Sequence, residues 1–125
     1  MINKPITDST IPTYFIIAGE QSADNHGAAL MTAIRAQNHD IEFRGIGGKK
    51  MIKAGFNSIE DIDKMAVMVF VEVIRHLGFF RELTERVLSE IEKERPNQII
   101  LIDYPGFNLR MAKKIKAKFD IPITY

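Results

Sequence analysis

Hydrophobic residues along this chain follow two alternating patterns. Three short runs predict strands: Tyr14–Ala18, Glu42–Ile46 and Gln98–Ile102. The first and the third are rich in apolar residues, which is typical of strands buried on both faces of a sheet. Apolar residues spaced by three or four positions predict helices from about Asp24 to Gln37 and from about Phe79 to Arg95, with another after the third run. Strands that alternate with helices predict an α/β fold with a parallel sheet and right-handed crossovers.

The remaining segments predict shorter elements. Lys49–Ala54 is predicted to be a short helix that Gly55 ends, Ser58–Asp63 is ambiguous and compatible with a brief strand, and Pro122–Tyr125 begins another strand. The polar residues 1–12 are predicted to form a flexible leader. Because the chain stops inside an apolar strand, we expect a fragment of a longer protein, although a short edge strand would also end a domain in this way.

The most apolar segment of the chain is Met65–Phe80. If it forms one helix, Phe79 falls among polar and charged side chains, and one face carries Phe70, Val73, Ile74 and Leu77. Such a helix exposes large apolar groups, which either meet a membrane surface or are covered by a part of the protein outside this chain. The residues alone leave both interpretations open.

The composition is that of one soluble globular domain. Of 125 residues, 46% are hydrophobic and 26% charged, and the formal net charge is +1. The near-neutral charge argues against a nucleic-acid-binding protein, and the absence of cysteine excludes disulfides and thiolate chemistry. No stretch is apolar for long enough to form a secretory signal or a spanning helix, so we expect any membrane contact to occur at the surface.

Parallel α/β sheets bind ligands at the carboxyl ends of their strands, in the loops that precede helices. The first such loop, Gly19–Gly27, offers a ligand the hydroxyl of Ser22 and the backbone N–H groups of a helix start. Glu20 and Asp24 in this loop favour contact with sugar hydroxyls over contact with a bare phosphate. An equally good interpretation is that Ser22 and Asp24 only cap the helix.

The second loop, residues 103–108, places a carboxylate at the end of a wholly apolar strand. At the edge of the core Asp103 would be partly desolvated, which suits a group that transfers protons. The proline after Tyr104 is expected to hold that residue extended, Gly106 to permit a positive φ, and Asn108 to cap the next helix or bind a ligand. The simpler interpretation is that Asp103 only accepts hydrogen bonds from loop amides.

Four motifs follow one another along the chain: Ala18-Gly-Glu-Gln-Ser-Ala-Asp-Asn-His-Gly-Ala28, Gly45-Ile-Gly-Gly48, Met65-Ala-Val-Met-Val-Phe-Val-Glu-Val73 and Ile102-Asp-Tyr-Pro-Gly-Phe-Asn-Leu-Arg110. In this order and spacing they resemble the N-terminal part of the lipid-A-disaccharide synthase family. The resemblance extends from about Tyr14 to Tyr125, but it covers only about the first third of such an enzyme.

The resemblance implies a Rossmann-like parallel sheet with flanking helices, the truncated N-terminal half of a glycosyltransferase-B fold. Residues 13–125 would form part of an acceptor-binding domain, without the C-terminal donor-binding domain. The implied enzyme belongs to lipid A (lipopolysaccharide) biosynthesis. It transfers 2,3-diacylglucosamine from UDP-2,3-diacylglucosamine to 2,3-diacylglucosamine 1-phosphate (lipid X), with inversion, and releases UDP and the β-1,6 disaccharide. No metal or other cofactor is implied, and we expect this chain alone to be inactive.

By the same resemblance Asp103 is the candidate general base, which takes the proton from the acceptor 6-hydroxyl. The implied substrate-binding residues are Gly19, Glu20, Ser22, Asp24, Met68, Glu72 and Asn108. The apolar segment is similar to a part of the family that dips into the inner leaflet, which implies a peripheral protein on the cytoplasmic face of the inner membrane. The implied membrane contacts are Val69, Val73, Leu77, Phe79 and Phe80.

Three residues depart from the family pattern. Ala23 and Val69 stand where glycine is usual, and Gly106 stands where many members have aspartate. If the backbone at Ala23 had a positive φ, the alanine would be strained. Two other functions are also compatible with the sequence: a sugar-phosphate- or nucleotide-binding module without catalysis, and a peripheral membrane or protein-interaction domain built around Val69–Phe80.

Overall fold

A computed structural model describes residues 11–38, 40–75 and 78–125. The leader up to residue 10, Leu77 and the side chains of Val69, Val73 and Ile74 lie outside the described residues. Along the described chain the elements are β1 (Thr13–Ala18), α1 (Gln21–Gln37), β2 (Glu42–Gly47), α2 (Lys49–Lys53), β3 (Phe56–Asp61), α3 (Ile62–Arg75), α4 (Phe79–Glu94), β4 (Gln98–Ile102), α5 (Pro105–Lys118) and β5 (Ile123–Thr124).

The five strands form one parallel sheet in the order β3-β2-β1-β4-β5. The chain builds outward from β1 to β3, then crosses back and adds β4 and β5 on the other side of β1. The direction of strand addition therefore reverses between β1 and β4, as it does in Rossmann-like sheets. The predicted fold class, a Rossmann-like parallel sheet with flanking helices, is confirmed.

Two hydrophobic clusters cover the two faces of the sheet. Because successive side chains of a strand point to opposite faces, Phe15 and Ile17 of β1 belong to the larger cluster, and Ile16 and Ala18 belong to the smaller one. Helices α3, α4 and α5 contribute to the larger cluster, and α1 and α2 to the smaller one. This division explains why β1 is apolar along its whole length.

The predicted strands that precede the two candidate loops are confirmed as β1 and β4. The ambiguous segment after Gly55 forms a strand, β3. Helix α1, however, begins at Gln21 with Glu20 as its N-cap residue, and no side chain caps it. Ser22 and Asp24 therefore lie within the first turn, and the interpretation that they cap this helix is wrong. Ala23 also lies in α1 and has no positive φ, so the strain considered at this position is absent.

The apolar segment Met65–Phe80 does not form one helix. Helix α3 ends at Arg75, and Gly78, in the left-handed conformation with a φ of 73°, precedes the start of α4 at Phe79. Because the break changes the direction of the chain, Phe79 packs into the larger cluster and is only 8% exposed. The predictions that Phe79 lies among polar side chains and contacts a membrane are wrong.

Candidate functional site

The loops after β1 and β4 meet where the strand order reverses. Ala18 pairs with Ile102 in the adjoining strand, so the chain leaves the sheet side by side at Gly19 and Asp103. A Cβ atom at Gly19 would lie 2.9 Å from Cδ2 of Tyr104, closer than carbon atoms approach without displacing one another. Only glycine admits the Tyr104 ring at this place, and the two loops that the sequence singled out are in direct contact.

Asp103 and Tyr104 both adopt the left-handed conformation, with φ values of 54° and 51°. Since α5 begins at Pro105, the turn from strand to helix is completed before the proline, and Gly106 lies in the helix. The predictions of an extended Tyr104 and a positive φ at Gly106 are therefore wrong. Two consecutive non-glycine residues in this region store about 1 to 2 kcal/mol of backbone strain each.

The side chain of Asp103 lies at the surface. The residue is exposed, although the strand that precedes it is apolar. The expectation of a partly desolvated carboxylate at the edge of the core is wrong, because the left-handed turn carries Asp103 out of the sheet. A carboxylate in this place is accessible to an incoming ligand.

A cleft of about 350 Å³ opens beside the two loops. The β1 loop and the start of α3 form two of its walls, and Tyr104 forms a third; the lining residues are Gly19, Glu20, Gln21, Ile62, Asp63, Ala66 and Tyr104. Nε2 of Gln21 donates a hydrogen bond to Oδ1 of Asp63 over 3.2 Å and ties the start of α1 to α3. Because carboxylates of Glu20 and Asp63 line the cleft together with apolar residues, it suits a ligand that carries both hydroxyls and apolar groups.

Tyr104 contributes an aromatic face and a hydroxyl donor to this cleft. Burial raises the pKa of Tyr104 above its ordinary value of 10.0, the nearby carboxylates of Glu20 and Glu72 raise it further, and the Arg110 guanidinium opposes them. The hydroxyl is therefore protonated at neutral pH and available to donate a hydrogen bond. The ring packs against Phe107, with the ring centroids 5.9 Å apart.

Asp24 is 3% exposed and binds the backbone of another helix. Its Oδ1 accepts hydrogen bonds from the N–H groups of Gly48 and Met51, both over 3.0 Å, and its Oδ2 accepts one from Lys50 over 3.1 Å. These groups form the N-terminus of α2, which has no capping side chain of its own. The carboxylate thus caps α2 from α1, a role that no local signal in the sequence indicates.

The other candidate substrate-binding residues differ in accessibility. Glu20 and Ser22 are exposed, and Met68 is half-buried against the larger cluster. Oε1 of Glu72 accepts a hydrogen bond from the N–H of Phe80 over 3.1 Å, at the start of α4. Asn108 is fully buried inside α5, so the prediction that it caps this helix is wrong.

A larger cleft of about 580 Å³ lies at the ends of β2 and β3. One of its carboxylates is already paired: that of Glu60 accepts a hydrogen bond from NH1 of Arg86 over 2.8 Å and another from the Asp61 N–H over 3.0 Å. No sequence pattern predicts that Glu60 pairs with Arg86. Their positions in the sequence, 26 residues apart, carry no spacing signal.

Within the described ranges no three acidic or histidine side chains lie close enough together to bind a metal ion. The same residues include no helix that is both long and apolar enough to cross a bilayer. The features that the described residues do present are the exposed Asp103, the loop that carries Glu20 and the cleft beside Tyr104. A parallel sheet of this order with a cleft at the point of reversal defines a Rossmann-like domain.

Comparison with known proteins assigns the family. The model of the family described as "Lipid-A-disaccharide synthetase" matches residues 14–125. The chain is 41% identical over 110 residues to "Lipid-A-disaccharide synthase 1" of Legionella pneumophila strain Philadelphia 1, which covers 88% of this chain and 29% of the relative. The chain belongs to the lipid-A-disaccharide synthetase family, and the predicted membership is confirmed.

More distant relatives agree. "Lipid-A-disaccharide synthase" of Granulibacter bethesdensis is 39% identical over 107 residues, covering 86% of this chain and 27% of the relative. The protein of the same name from Myxococcus xanthus is 34% identical over 114 residues, covering 91% of this chain and 30% of the relative. The chain thus spans less than a third of the length of the curated relatives it matches.

Proposed function

We propose that this chain is the acceptor-binding part of an inverting glycosyltransferase of lipid A biosynthesis. The complete enzyme transfers 2,3-diacylglucosamine from UDP-2,3-diacylglucosamine to lipid X, forms the β-1,6 disaccharide and releases UDP. The family assignment and the names of the relatives support this activity. The observation that carries the proposal is the exposed carboxylate of Asp103 beside the β1 loop at the reversal of strand order.

In this proposal Asp103 acts as the general base. Its carboxylate takes the proton of the acceptor 6-hydroxyl while that oxygen forms a bond to the anomeric carbon of the donor. The bond between the anomeric carbon and the UDP oxygen breaks, and UDP leaves with the electron pair. The exposed Glu20 and Ser22 accept hydrogen bonds from acceptor hydroxyls, and Gly19 keeps the cleft open, whereas Asp24, Met68, Glu72 and Asn108 shape the site from within.

Replacement of Asp103 in the complete enzyme tests the catalytic role. Asp103→Asn keeps the size of the side chain and removes the base, so kcat is expected to fall about 10²- to 10⁴-fold while acceptor binding survives. Asp120→Asn, at an exposed aspartate beyond the end of α5, is the matched control and is expected to keep full activity. If Asp103→Asn turns over like the control, Asp103 is not the base.

The proposed division of the enzyme assigns residues 13–125 to the acceptor-binding domain and the UDP-sugar site to a domain outside this chain. The isolated chain is then expected to produce no disaccharide and release no UDP from the two substrates. A mass-spectrometric assay for the disaccharide makes the test. Product formed by the purified chain at a rate above the uncatalysed background would show this division to be wrong.

We further propose that the protein binds the cytoplasmic face of the inner membrane, where acylated substrates lie. The support is on α3, where Val67 is 61% exposed and Phe70 is 67% exposed, next to the cleft residue Ala66. Phe80 is half-buried against the larger cluster and contributes less. The proposed contacts at Val69, Val73 and Leu77 lie outside the described residues and side chains.

Liposome flotation with anionic phospholipid vesicles tests the membrane contact. Val67→Ser together with Phe70→Ser is expected to lower the partition coefficient about tenfold or more, because burial of one large apolar side chain contributes about 1.5 to 3 kcal/mol. Ile52→Ser, at an apolar residue that is 49% exposed on α2, is the matched control. Equal flotation of the double variant and the control would contradict this membrane face.

A further inference from the structure

Asn108 is fully buried beneath the two loops of the site, with 0% of its surface exposed. Its Nδ2 lies 2.7 Å from the carbonyl oxygen of Asp103, 3.4 Å from that of Ile102 and 3.5 Å from that of Ile17. Ile102 ends β4 and Ile17 belongs to β1. One side-chain amide therefore connects the two strands at the reversal point with the residue that follows β4.

This geometry selects an amide. The two hydrogens of Nδ2 serve the short bond to Asp103 and the two longer contacts, and a carboxylate in the same place would face three carbonyl oxygens. Oδ1 of Asn108 is buried and has no hydrogen-bond partner among the described residues. A buried acceptor without a partner destabilises the fold, and the contacts of Nδ2 with the three carbonyl oxygens oppose that loss.

The same residue holds the turn through its backbone. The N–H of Asn108 donates to the carbonyl of Tyr104 over 2.9 Å, while Nδ2 holds the carbonyl of Asp103. With the contact to the Ile102 carbonyl, these bonds enclose the consecutive left-handed residues Asp103 and Tyr104, whose conformation is unfavourable for side chains other than glycine. The bonds from Asn108 therefore oppose relaxation of the loop toward an extended conformation, which would turn the Asp103 side chain in another direction.

We propose that Asn108 is a positioning residue for Asp103, which holds the carboxylate toward the acceptor without touching the substrate. The proposal rests on the proposed function, in which Asp103 is the general base. It replaces direct substrate binding by Asn108, which its burial disfavours. The unfavourable backbone conformation of Asp103, held by hydrogen bonds from one buried amide, is accounted for if it maintains the orientation of the Asp103 carboxylate.

The test uses the complete enzyme with Asn108→Ala and a control matched for loss of stability. Met111→Ala, at a residue 1% exposed in the same helix and within the larger cluster, lowers stability without touching the loop. Asn108→Ala is expected to lower kcat by about 10²-fold, with the acceptor KM changed by less than about threefold, because small misplacements of a catalytic group have effects of that size. Met111→Ala is expected to keep kcat within about twofold of the wild type at temperatures well below its Tm.

A double variant separates positioning from a merely structural role. Asp103→Asn has no base to position, so the addition of Asn108→Ala is expected to lower its residual kcat by less than about twofold. If Asn108→Ala does not fold, Asn108→Ser, whose hydroxyl still donates one hydrogen bond, takes its place with an intermediate expected loss.

Four outcomes would overturn the positioning role or the proposed function on which it rests. A kcat for Asn108→Ala no lower than that of Met111→Ala, or a full multiplicative loss in the double variant, overturns the positioning role. A large rise in acceptor KM with unchanged kcat overturns it in favour of substrate binding. Full turnover by Asp103→Asn instead refutes the proposed function itself, which distinguishes that failure from failure of the positioning role.

Discussion

The capping of α2 by Asp24 leads to a quantitative prediction about stability. In Asp24→Ala the N–H groups of Gly48 and Met51 lose their buried acceptor, and that of Lys50 loses a partly buried one. Each buried donor left without a partner costs about 1 to 3 kcal/mol, and water relieves part of this at Lys50. We expect a loss of about 3 to 4 kcal/mol, a large share of the 5 to 15 kcal/mol of a typical domain.

An isosteric change refines the same prediction. In Asp24→Asn the side-chain oxygen keeps the bonds from Gly48 and Met51, while the amide nitrogen faces the N–H of Lys50 and the negative charge at the helix N-terminus is lost. The expected loss is about 1 to 2 kcal/mol. The order of stability is therefore wild type, then Asp24→Asn, then Asp24→Ala.

Urea unfolding of the chain, followed by circular dichroism, measures these differences, and an unchanged m-value shows that the unfolding reaction is the same. Asp40→Ala, at an exposed acid, is the control and is expected to lie within about 0.5 kcal/mol of the wild type. The reasoning is refuted if Asp24→Ala is as stable as Asp40→Ala. In that case the carboxylate does not hold α2 and is free to meet a ligand.

Arg35 contacts the backbone just beyond the C-terminus of α2. Its NH1 donates to the carbonyl of Ala54, and its NH2 lies 3.4 Å from the carbonyls of Ile41 and Gly55. Helix α1 thus places a negative charge at the N-terminus of α2 and a positive charge near its C-terminus. The dipole of α2 favours this arrangement of charges. This arrangement explains how a helix of 5 residues is held in place.

Three further predictions concern the loops and the buried acid. Gly19→Ala is expected to destabilise the chain by about 1 to 3 kcal/mol, and a second change, Tyr104→Ala, should restore much of the loss; additive losses in urea unfolding would contradict the contact. In an ultraviolet absorbance titration, compared with Tyr104→Phe, the Tyr104 transition should lie above pH 10.0 and move lower in Glu20→Gln. Since the pKa of Tyr104 is raised on folding, its contribution to stability is present below the unfolded pKa and is lost as pH rises through the folded one; a transition unmoved by Glu20→Gln would argue against their interaction. Arg86→Ala leaves the carboxylate of Glu60, whose side chain is 6% exposed, without its ion pair, so about 2 kcal/mol should be lost and part regained by adding Glu60→Gln. A loss below about 0.5 kcal/mol in thermal unfolding would show that this pair contributes little.

The kinds of elements and their order follow from local patterns. A buried strand is recognisable at Gln98–Ile102 because a run of apolar residues is needed where helices cover both faces of a sheet. Helix α2 is recognisable because Gly55 follows its end. The strand ends then locate Gly19 and Asp103 as parts of one candidate site, because ligands of such sheets bind at one edge. None of this requires contacts between distant residues.

The break between α3 and α4 is where the local pattern failed. A helical wheel drawn through Met65–Phe80 assumes that each residue turns the chain by the same angle. The left-handed conformation of Gly78 interrupts this regular rotation. Phe79 consequently points into the core, while Phe70 is exposed. Helical spacing holds within one helix, but it does not extend across a turn between two helices.

Only the tertiary structure determines which polar side chains are accessible to a ligand. Asp24 and Asn108 appear as available as Glu20 in the sequence, yet both are buried, because their partners are backbone groups of other elements. Those partners lie 24 to 27 residues away for Asp24 and up to 91 residues away for Asn108. Local spacing determines an element because its hydrogen bonds are local, whereas the direction of a polar side chain at a loop depends on contacts that exist only once the sheet has assembled.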